Sequence, residues 1–114
     1  MNLTEQKCVA CEGDVRPFDK EEAEVLLKQV PYWELSKDAK SITKKYTFAD
    51  FKEALVFINK VGEIAESEGH HPDIHLTDYK YVEIDLSTHA IRGLSQNDFI
   101  VAAKIDQNVA TDIK

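Results

Sequence analysis

The chain repeats one order of hydrophobic patterns, and this repeat restricts the folds open to it. In two successive stretches every second residue is apolar, and in the stretch that follows the apolar residues are spaced three and four apart. The same series of three stretches then occurs a second time. Alternation is typical of a strand with one buried face, whereas steps of three and four indicate an amphipathic helix. The six stretches are, in order, "YWELS", "KSITKKYTF", "FKEALVFINKVGEIAESEG", "DIHLTDY", "KYVEIDLST" and "LSQNDFIVAAKIDQNVATDI".

A further helix pattern, "PFDKEEAEVLLKQVP", precedes the two ββα units. This order predicts an α+β two-layer sandwich, in which a four-stranded antiparallel sheet carries the helices on one face. The other face, or an edge of the sheet, would be free for an oligomer contact. The length of 114 residues suits one domain, which we place at 19–114, after an N-terminal arm at 1–18.

Capping residues predict where three helices begin or end. Asp19 and Glu22 have the spacing of a capping box, and Ser95 and Asp98 repeat that spacing before the last helix. Gly69 follows the central helix and is expected to be the left-handed residue that ends it. The first helix should therefore begin after Asp19 and the last after Ser95.

Each helix and strand is expected to bury one stripe of its residues. In the strands these are Ile42, Lys44, Tyr46 and Phe48, then Ile74 and Leu76, then Val82, Ile84 and Leu86. In the helices they are Ala23, Leu26, Leu27 and Val30; then Phe51, Leu55, Ile58, Val61 or Gly62, and Ala65; then Phe99, Ala102, Ala103, Ile105, Val109 and Ile113.

The charge of the chain argues against a nucleic-acid partner. Acidic residues outnumber basic ones by 21 to 14, and no basic stripe of the kind that grips phosphates is visible. No stretch approaches the roughly 20 apolar residues that span a bilayer, and the first residues lack the apolar core of a signal peptide. We therefore expect no membrane contact and a cytoplasmic location.

The two cysteines, Cys8 and Cys11, form a CxxC pair within the predicted arm. Such a pair can be half of a zinc site or a redox pair, but no strand precedes it and no second pair supplies the missing ligands. The simplest interpretation is a mobile arm with two reduced thiols.

Three of the four histidines fall in "GHHPDIH", and the fourth follows the last strand. His70 and His71 come directly after the central helix, whereas His89 precedes the last helix. In an antiparallel hairpin the start of the first strand and the end of the second lie together, so His70 and His71 can converge with His89. His75 lies inside the first hairpin strand and is expected to point to the opposite face.

Three interpretations of this histidine cluster remain open on residue chemistry: a metal site, solvated or structural side chains, or a proton-transfer pocket. Adjacent histidines chelate poorly, and the HExxH spacing is absent. No nucleophile suited to a catalytic triad and no glycine-rich phosphate loop lies nearby. The pattern therefore favours general acid–base chemistry on a neutral small molecule.

Two carboxylates near the cluster each have two interpretations. Glu66, on the last turn of the central helix, is either an ordinary surface residue or a carboxylate that orients an imidazole, and we prefer the second. Asp98 is explained first as the acid of a capping box, and it can also tune His89.

The same residues resemble the pterin-4a-carbinolamine dehydratase family, over roughly residues 19–112. The motif elements that match, in order and spacing, are Glu66, His70-His71-Pro72, Ser87-Thr88-His89, Gly93-Leu94-Ser95 and Asp98. The combination is specific, although none of its pieces is unique.

The resemblance implies that the chain dehydrates 4a-hydroxytetrahydrobiopterin to a quinonoid dihydropterin, in tetrahydrobiopterin recycling. By the family's pattern His71 and His89 would be the general acid and base, and His70 would bind and help to move the proton. The resemblance also implies that the substrate contacts Glu66, Gly69, Pro72, Ser87, Thr88 and Asp98, and that no metal or organic cofactor is required.

The resemblance also implies a homodimer or homotetramer, and it leaves alternative functions open. Relatives resemble dimerisation partners of a transcription factor, and others serve further pterin metabolism. A chain that served only as a scaffold would have no need of His70, His71 and His89, and their presence favours the enzyme.

Overall fold

The described part of the chain, residues 3–8 and 16–108, folds in the predicted order. This computed structural model has two short 3₁₀ turns, Leu3–Glu5 and His89–Ile91, in those residues. The longer elements are α1 (Lys20–Leu27), β1 (Glu34–Leu35), β2 (Ile42–Thr47), α2 (Phe51–Glu68), β3 (Asp73–Thr77), β4 (Tyr81–Leu86) and α3 (Gln96–Asn108).

The four strands form one antiparallel sheet in the order β1-β2-β4-β3, which confirms the predicted sheet. The hairpin β3–β4 pairs Asp73, the first residue of β3, with Asp85, near the end of β4. The start of β3 and the end of β4 therefore lie at the same end of the sheet. This end carries the candidate site.

The first strand is shorter than predicted, because only Glu34–Leu35 of "YWELS" pairs with β2. Trp33 N–H donates to the carbonyl of Val30 at 3.0 Å, so the chain is still turning there. The Trp33 side chain is buried, and its Nε1–H donates to Asp106 of α3 at 3.1 Å. Lys44, which points inward as predicted, pairs with the same carboxylate at 3.0 Å.

The helices cover one face of the sheet and leave the other open, as the α+β prediction requires. The covered face contributes Ile42, Tyr46, Val82, Ile84 and Leu86 to the buried core, with Ile74 and Leu76 partly buried against it. The open face carries Thr43, Lys45, Thr47, Asp73, His75, Thr77, Tyr81, Glu83 and Asp85. These side chains are mostly polar, so this face does not offer the apolar surface of a typical oligomer contact.

The first half of the central helix α2 is rotated relative to the predicted stripe, whereas Val61 and Ala65 are buried as predicted. Phe51 and Leu55 were expected to face the core, but they are 49% and 40% exposed. The ring of Phe57 lies 4.3 Å from that of Tyr46 and 5.1 Å from that of Phe48, between centroids. This aromatic cluster sets the rotation of the helix, because burying Phe57 turns Leu55 outward. The buried residues of α2 are Ala54, Phe57, Val61 and Ala65.

The last helix α3 is buried on more than the side that faces the sheet. Its predicted inward residues Phe99, Ala102, Ala103 and Ile105 are buried, and so are Ile100 and Val101, whereas the predicted Val109 and Ile113 lie outside the described residues. The Leu3–Glu5 turn packs on α3 and buries the side chain of Leu3. The described segment 3–8 is therefore not the mobile arm that its sequence predicted.

A buried carboxylate, Glu68, fastens this segment to both long helices. Its oxygens accept from the backbone N–H of Cys8 at 2.9 Å and from Lys104 Nζ of α3 at 2.6 Å. Burial alone would raise the pKa of Glu68, but these hydrogen bonds and the charge of Lys104 outweigh it and lower the pKa below its ordinary value. A lowered pKa means that the ionised form stabilises the fold, and that this stabilisation is lost as the pH falls through the folded-state pKa.

Glu68→Gln should therefore lower the free energy of unfolding at pH 7 by about 1–3 kcal/mol, the usual cost of disrupting a buried hydrogen-bonded charge. The difference from the natural chain should shrink as the pH falls below the ordinary glutamate pKa of about 4.3, and it should be smallest below the lowered folded-state pKa, where the Glu68 carboxyl is neutral in both the folded and the unfolded chain. Urea denaturation at pH 7 and pH 3 measures both values. Glu63→Gln, an exposed change on the same helix, is the control; an equal loss for Glu68→Gln at both pH values would contradict the account.

Candidate active site

A fully buried carboxylate, Asp98, lies at the centre of the candidate site. One oxygen, Oδ1, lies 2.6 Å from Nε2 of His70. The other, Oδ2, accepts from the Thr88 hydroxyl at 2.8 Å and from the backbone N–H of Ser95 at 3.0 Å. An ionised carboxylate only accepts hydrogen bonds, so with Asp98 ionised the donor in this contact is Nε2–H of His70.

The end of α2 places His70 beside Asp98. Gly69 has the left-handed backbone, φ 66° and ψ 27°, that the sequence predicts, and it closes the helix with a bond from its N–H to the carbonyl of Ala65. His70 N–H donates to the same carbonyl at 3.2 Å. The chain then turns through His71 and Pro72 into β3, so both histidines lie at the end of the sheet defined above.

The end of β4 brings the second motif to the same place. Thr88 and Gly93 form an antiparallel bridge that closes the short loop containing His89. A Cβ atom on Gly93 would lie 2.7 Å from Cβ of Pro17, closer than side chains pack, so this position requires glycine. The bridge holds the Thr88 hydroxyl toward Asp98.

The capping arrangement at α3 differs in part from the prediction. The Asp98 side chain accepts from Ser95 N–H as a capping box requires, but Ser95 Oγ accepts from Asn97 N–H at 3.3 Å and lies 2.8 Å from the Thr88 hydroxyl. Asp98 was also expected to tune His89, and its imidazole partner is instead His70. The capping-box spacing predicts the bond between Asp98 and Ser95 N–H. It does not predict that the other oxygen of Asp98 contacts His70.

The second histidine, His71, pairs with Glu66 as expected of a carboxylate that orients an imidazole. His71 Nε2 and a Glu66 oxygen are 2.5 Å apart, and both side chains are mostly exposed, by 60% and 78%. An exposed pair of this kind contributes little to stability. Its effect is to restrict the ring orientation of His71.

The remaining predicted residues lie around these pairs. His89 is exposed on its 3₁₀ turn, and its ring makes no hydrogen bond within residues 3–8 and 16–108. Ser87 is half-buried between β4 and Thr88. His75 points to the open face of the sheet, as predicted, where its Nε2 lies 3.0 Å from Asp85.

The distances between possible ligand atoms test whether the histidine cluster can hold a metal ion. In the part of the chain that the structure describes, His70, His71 and His89 do not belong to a group of three donors close enough to share an ion. The group that meets this criterion is His75 with Glu83 and Asp85, outside the site.

Of the CxxC pair, the structure describes Cys8. Burial, followed by the nearby charge of Glu68, raises the pKa of the Cys8 thiol to about 12. A thiol with so high a pKa is protonated at neutral pH and is a poor nucleophile. Cys11 lies outside the described residues.

Comparison with known proteins identifies the family. The family model described as pterin 4 alpha carbinolamine dehydratase matches residues 16–108. A relative from Halorhodospira halophila, provisionally named pterin-4-alpha-carbinolamine dehydratase, is 51% identical over 93% of this chain and 96% of its own length. A relative from Methylococcus capsulatus with the same provisional name is 47% identical over 96% of this chain and 95% of its own. The chain belongs to the pterin-4-alpha-carbinolamine dehydratase family.

A solved structure shows the same fold. The crystal structure described as a transcriptional coactivator/pterin dehydratase from Brucella melitensis matches with a TM-score of 0.73 and 26% identity, covering 81% of this chain and 97% of that one. The resemblance noted from the motifs and the α+β fold are thus both confirmed. Among the described helices, none has the length and apolar character needed to cross a membrane. The cytoplasmic location stays a prediction.

Asp98→Ala should destabilise the protein by about 3–5 kcal/mol, because it leaves the Thr88 hydroxyl, the Ser95 N–H and the His70 ring without their shared acceptor. Asp98→Asn keeps one acceptor oxygen and should cost less. Urea denaturation measures both changes. Asp73→Ala, at an exposed aspartate on β3, should stay within about 0.5 kcal/mol, and a similar small effect for Asp98→Ala would show that Asp98 does not hold the site together.

Proposed function

We propose that the chain dehydrates a pterin-4a-carbinolamine, with 4a-hydroxytetrahydrobiopterin as the substrate in tetrahydrobiopterin recycling. The observation that carries this proposal is the link His70–Asp98–Thr88, which joins the two histidine-bearing motifs of the family at one end of the sheet. Family membership and the names of the relatives support the same reaction.

The reaction suits imidazole groups. The C4a–O bond breaks, a general acid protonates the departing hydroxyl to give water, and a general base removes the proton from N5 as the C4a=N5 double bond forms. Imidazole, with a reference pKa of about 6.5, can serve as either group near neutral pH. The reaction consumes no oxidant or reductant, so it needs no organic cofactor.

His71 and His89 are the proposed acid and base. Both rings are exposed to solvent and therefore accessible to a substrate, and they are more exposed than the ring of His70. The Glu66 carboxylate restricts the orientation of the His71 ring. We leave open which of the two rings donates the proton and which accepts it.

His70 and Asp98 have a different role in this proposal. Only 12% of the His70 side chain is exposed, and its Nε2–H is held by the buried carboxylate. The pair fixes the tautomer in which Nδ1 is the free nitrogen, available to bind the pterin or to relay a proton. Asp98 is thus a positioning residue, and the Thr88 hydroxyl, which donates to it, acts through it.

The polar edge of the pterin would be bound by the residues around these rings. The half-buried Ser87 side chain and the backbone at Gly69 are the proposed donors and acceptors, and Pro72 would form an apolar wall. Thr88 was expected to touch the substrate, but its hydroxyl already contacts Asp98 and Ser95. We therefore assign Thr88 to the support of Asp98.

His71→Ala and His89→Ala should each lower the dehydration rate by roughly 10²-fold or more, the size of one general acid–base contribution. The rate is followed by the ultraviolet absorbance of 4a-hydroxytetrahydrobiopterin against its spontaneous decay. His75→Ala is the matched control, because it removes an imidazole from the opposite face of the sheet, and it should keep the natural rate.

Two outcomes of this assay would count against the proposal in different ways. If the natural chain does not accelerate the decay, the enzyme function is wrong, and a role as a protein partner of the coactivator type becomes the better explanation. If the natural chain is active but both variants keep full activity, the reaction is right and the roles given to His71 and His89 are wrong.

We also propose that the chain forms a homodimer or homotetramer. Phe51, Leu55 and Val56 expose between 40% and 50% of their surface on α2, an apolar area that association would bury.

Light scattering should give two or four times the 13.0 kDa chain mass, and Leu55→Lys should shift the measured mass toward that of the monomer. Thr47→Lys on the open face is the control, and a natural chain that is monomeric at micromolar concentration would contradict the proposal.

A further inference from the structure

We infer that the open face of the sheet carries a binding site for a first-row divalent metal ion such as Zn²⁺, formed by His75, Glu83 and Asp85. The site lies on the face opposite the helices and the buried Asp98. This metal site goes beyond the proposed dehydratase function. The metal site and the dehydratase function do not depend on one another.

The sheet register brings the three side chains together. His75 of β3 lies directly opposite Glu83 of β4, and Asp85 follows two residues along β4, on the same face. Opposite residues of an antiparallel pair have Cβ atoms only about 5 Å apart. One histidine nitrogen and one oxygen from each carboxylate all lie within 4.8 Å of one another.

These separations are close to those of a coordinated ion. With bonds of about 2.0–2.2 Å from zinc to nitrogen and oxygen, two ligands of one ion are at most about 4.4 Å apart. The His75 ring is 52% exposed, and its rotation costs little packing. A small movement of the side chains would therefore close the site.

One of the three ligands is already held in place. Asp85 accepts from the Thr43 hydroxyl at 2.6 Å through Oδ1, and its Oδ2 faces Nε2 of His75 at 3.0 Å. A carboxylate oxygen of Glu83 lies within 4.8 Å of a carboxylate oxygen of Asp85. Two carboxylates this close repel one another when both are ionised, and a dication between them would remove that repulsion.

The set of donors selects the class of ion. An imidazole with two carboxylates suits zinc and its neighbours in the first transition row, and the three protein ligands leave room for water. Calcium and magnesium prefer oxygen ligands, and calcium usually takes six to eight of them. They are therefore poor occupants of this site.

The competing interpretation is a surface ion pair between protonated His75 and Asp85. Such a pair is worth at most about 1 kcal/mol when exposed, and it leaves Glu83 opposite Lys45 across β2 and β4. A metal ion would use all three side chains and cross-link the edge strand β3 to β4. Because the ion would bind the native register only, it should stabilise the fold in proportion to its concentration.

The test is isothermal titration of the full-length chain with Zn²⁺ at pH 7.5, together with thermal melting in Zn²⁺ or Mg²⁺. One Zn²⁺ should bind per chain and raise the melting temperature, and Mg²⁺ should do neither. His75→Ala and Asp85→Asn should each weaken Zn²⁺ binding at least tenfold. If His75→Ala does not fold, Asp85→Asn and Glu83→Gln decide the outcome.

Other zinc ligands in the chain must be separated from this site. A Cys8→Ser/Cys11→Ser variant removes the thiols, and His71→Ala and His89→Ala remove imidazoles of the candidate active site; all should keep the Zn²⁺ affinity. The proposal is overturned if no Zn²⁺ binds, if binding survives loss of His75, or if it requires the cysteines or His71 and His89. Because dehydratase activity is not the readout, failure here would leave the proposed function standing.

Discussion

The hydrogen bonds of Asp98 are the interaction on which the candidate site depends. A carboxylate with no exposed surface is tolerated only when its oxygens are fully paired, and here the partners come from three separate parts of the chain. They are the ring of His70 after α2, the hydroxyl of Thr88 after β4 and the backbone N–H of Ser95, the residue before α3. Folding therefore assembles the site, because satisfying Asp98 requires His70 and Thr88 to be in place.

The sheet accounts for the rest of this arrangement. Antiparallel pairing of β3 with β4 returns the chain to the end where α2 stopped, so His70 and Thr88, 18 residues apart in sequence, both reach Asp98 without a long connection. The same alternation places His75 on the opposite face. A single hairpin thus separates one histidine from the other three, and this separation lets the proposed acid–base site and the inferred metal site lie on opposite faces of the sheet.

Much of this could be predicted from the sequence where the physics is local. Gly69 ends α2 in the left-handed conformation, and Asp19 begins α1 with a complete capping box, because caps depend on a few neighbouring residues. The rotation of α2 could not be predicted in the same way, since it is set by Phe57 packing on Tyr46 and Phe48. Likewise the His70 partner of Asp98 and the docking of Leu3 on α3 are contacts between distant segments, which periodicity does not encode.

The most direct test of the account is a crystal structure of the protein with bound 7,8-dihydrobiopterin, a stable relative of the proposed product. We expect the pterin ring at the end of the sheet that carries the histidine motifs. The side chain of His71 or His89 should lie within hydrogen-bond distance of N5, about 3 Å, and close to C4a, and His70 should keep its contact with Asp98. A pterin bound on the open face or on α2, or one that touches none of these three histidines, would contradict the account.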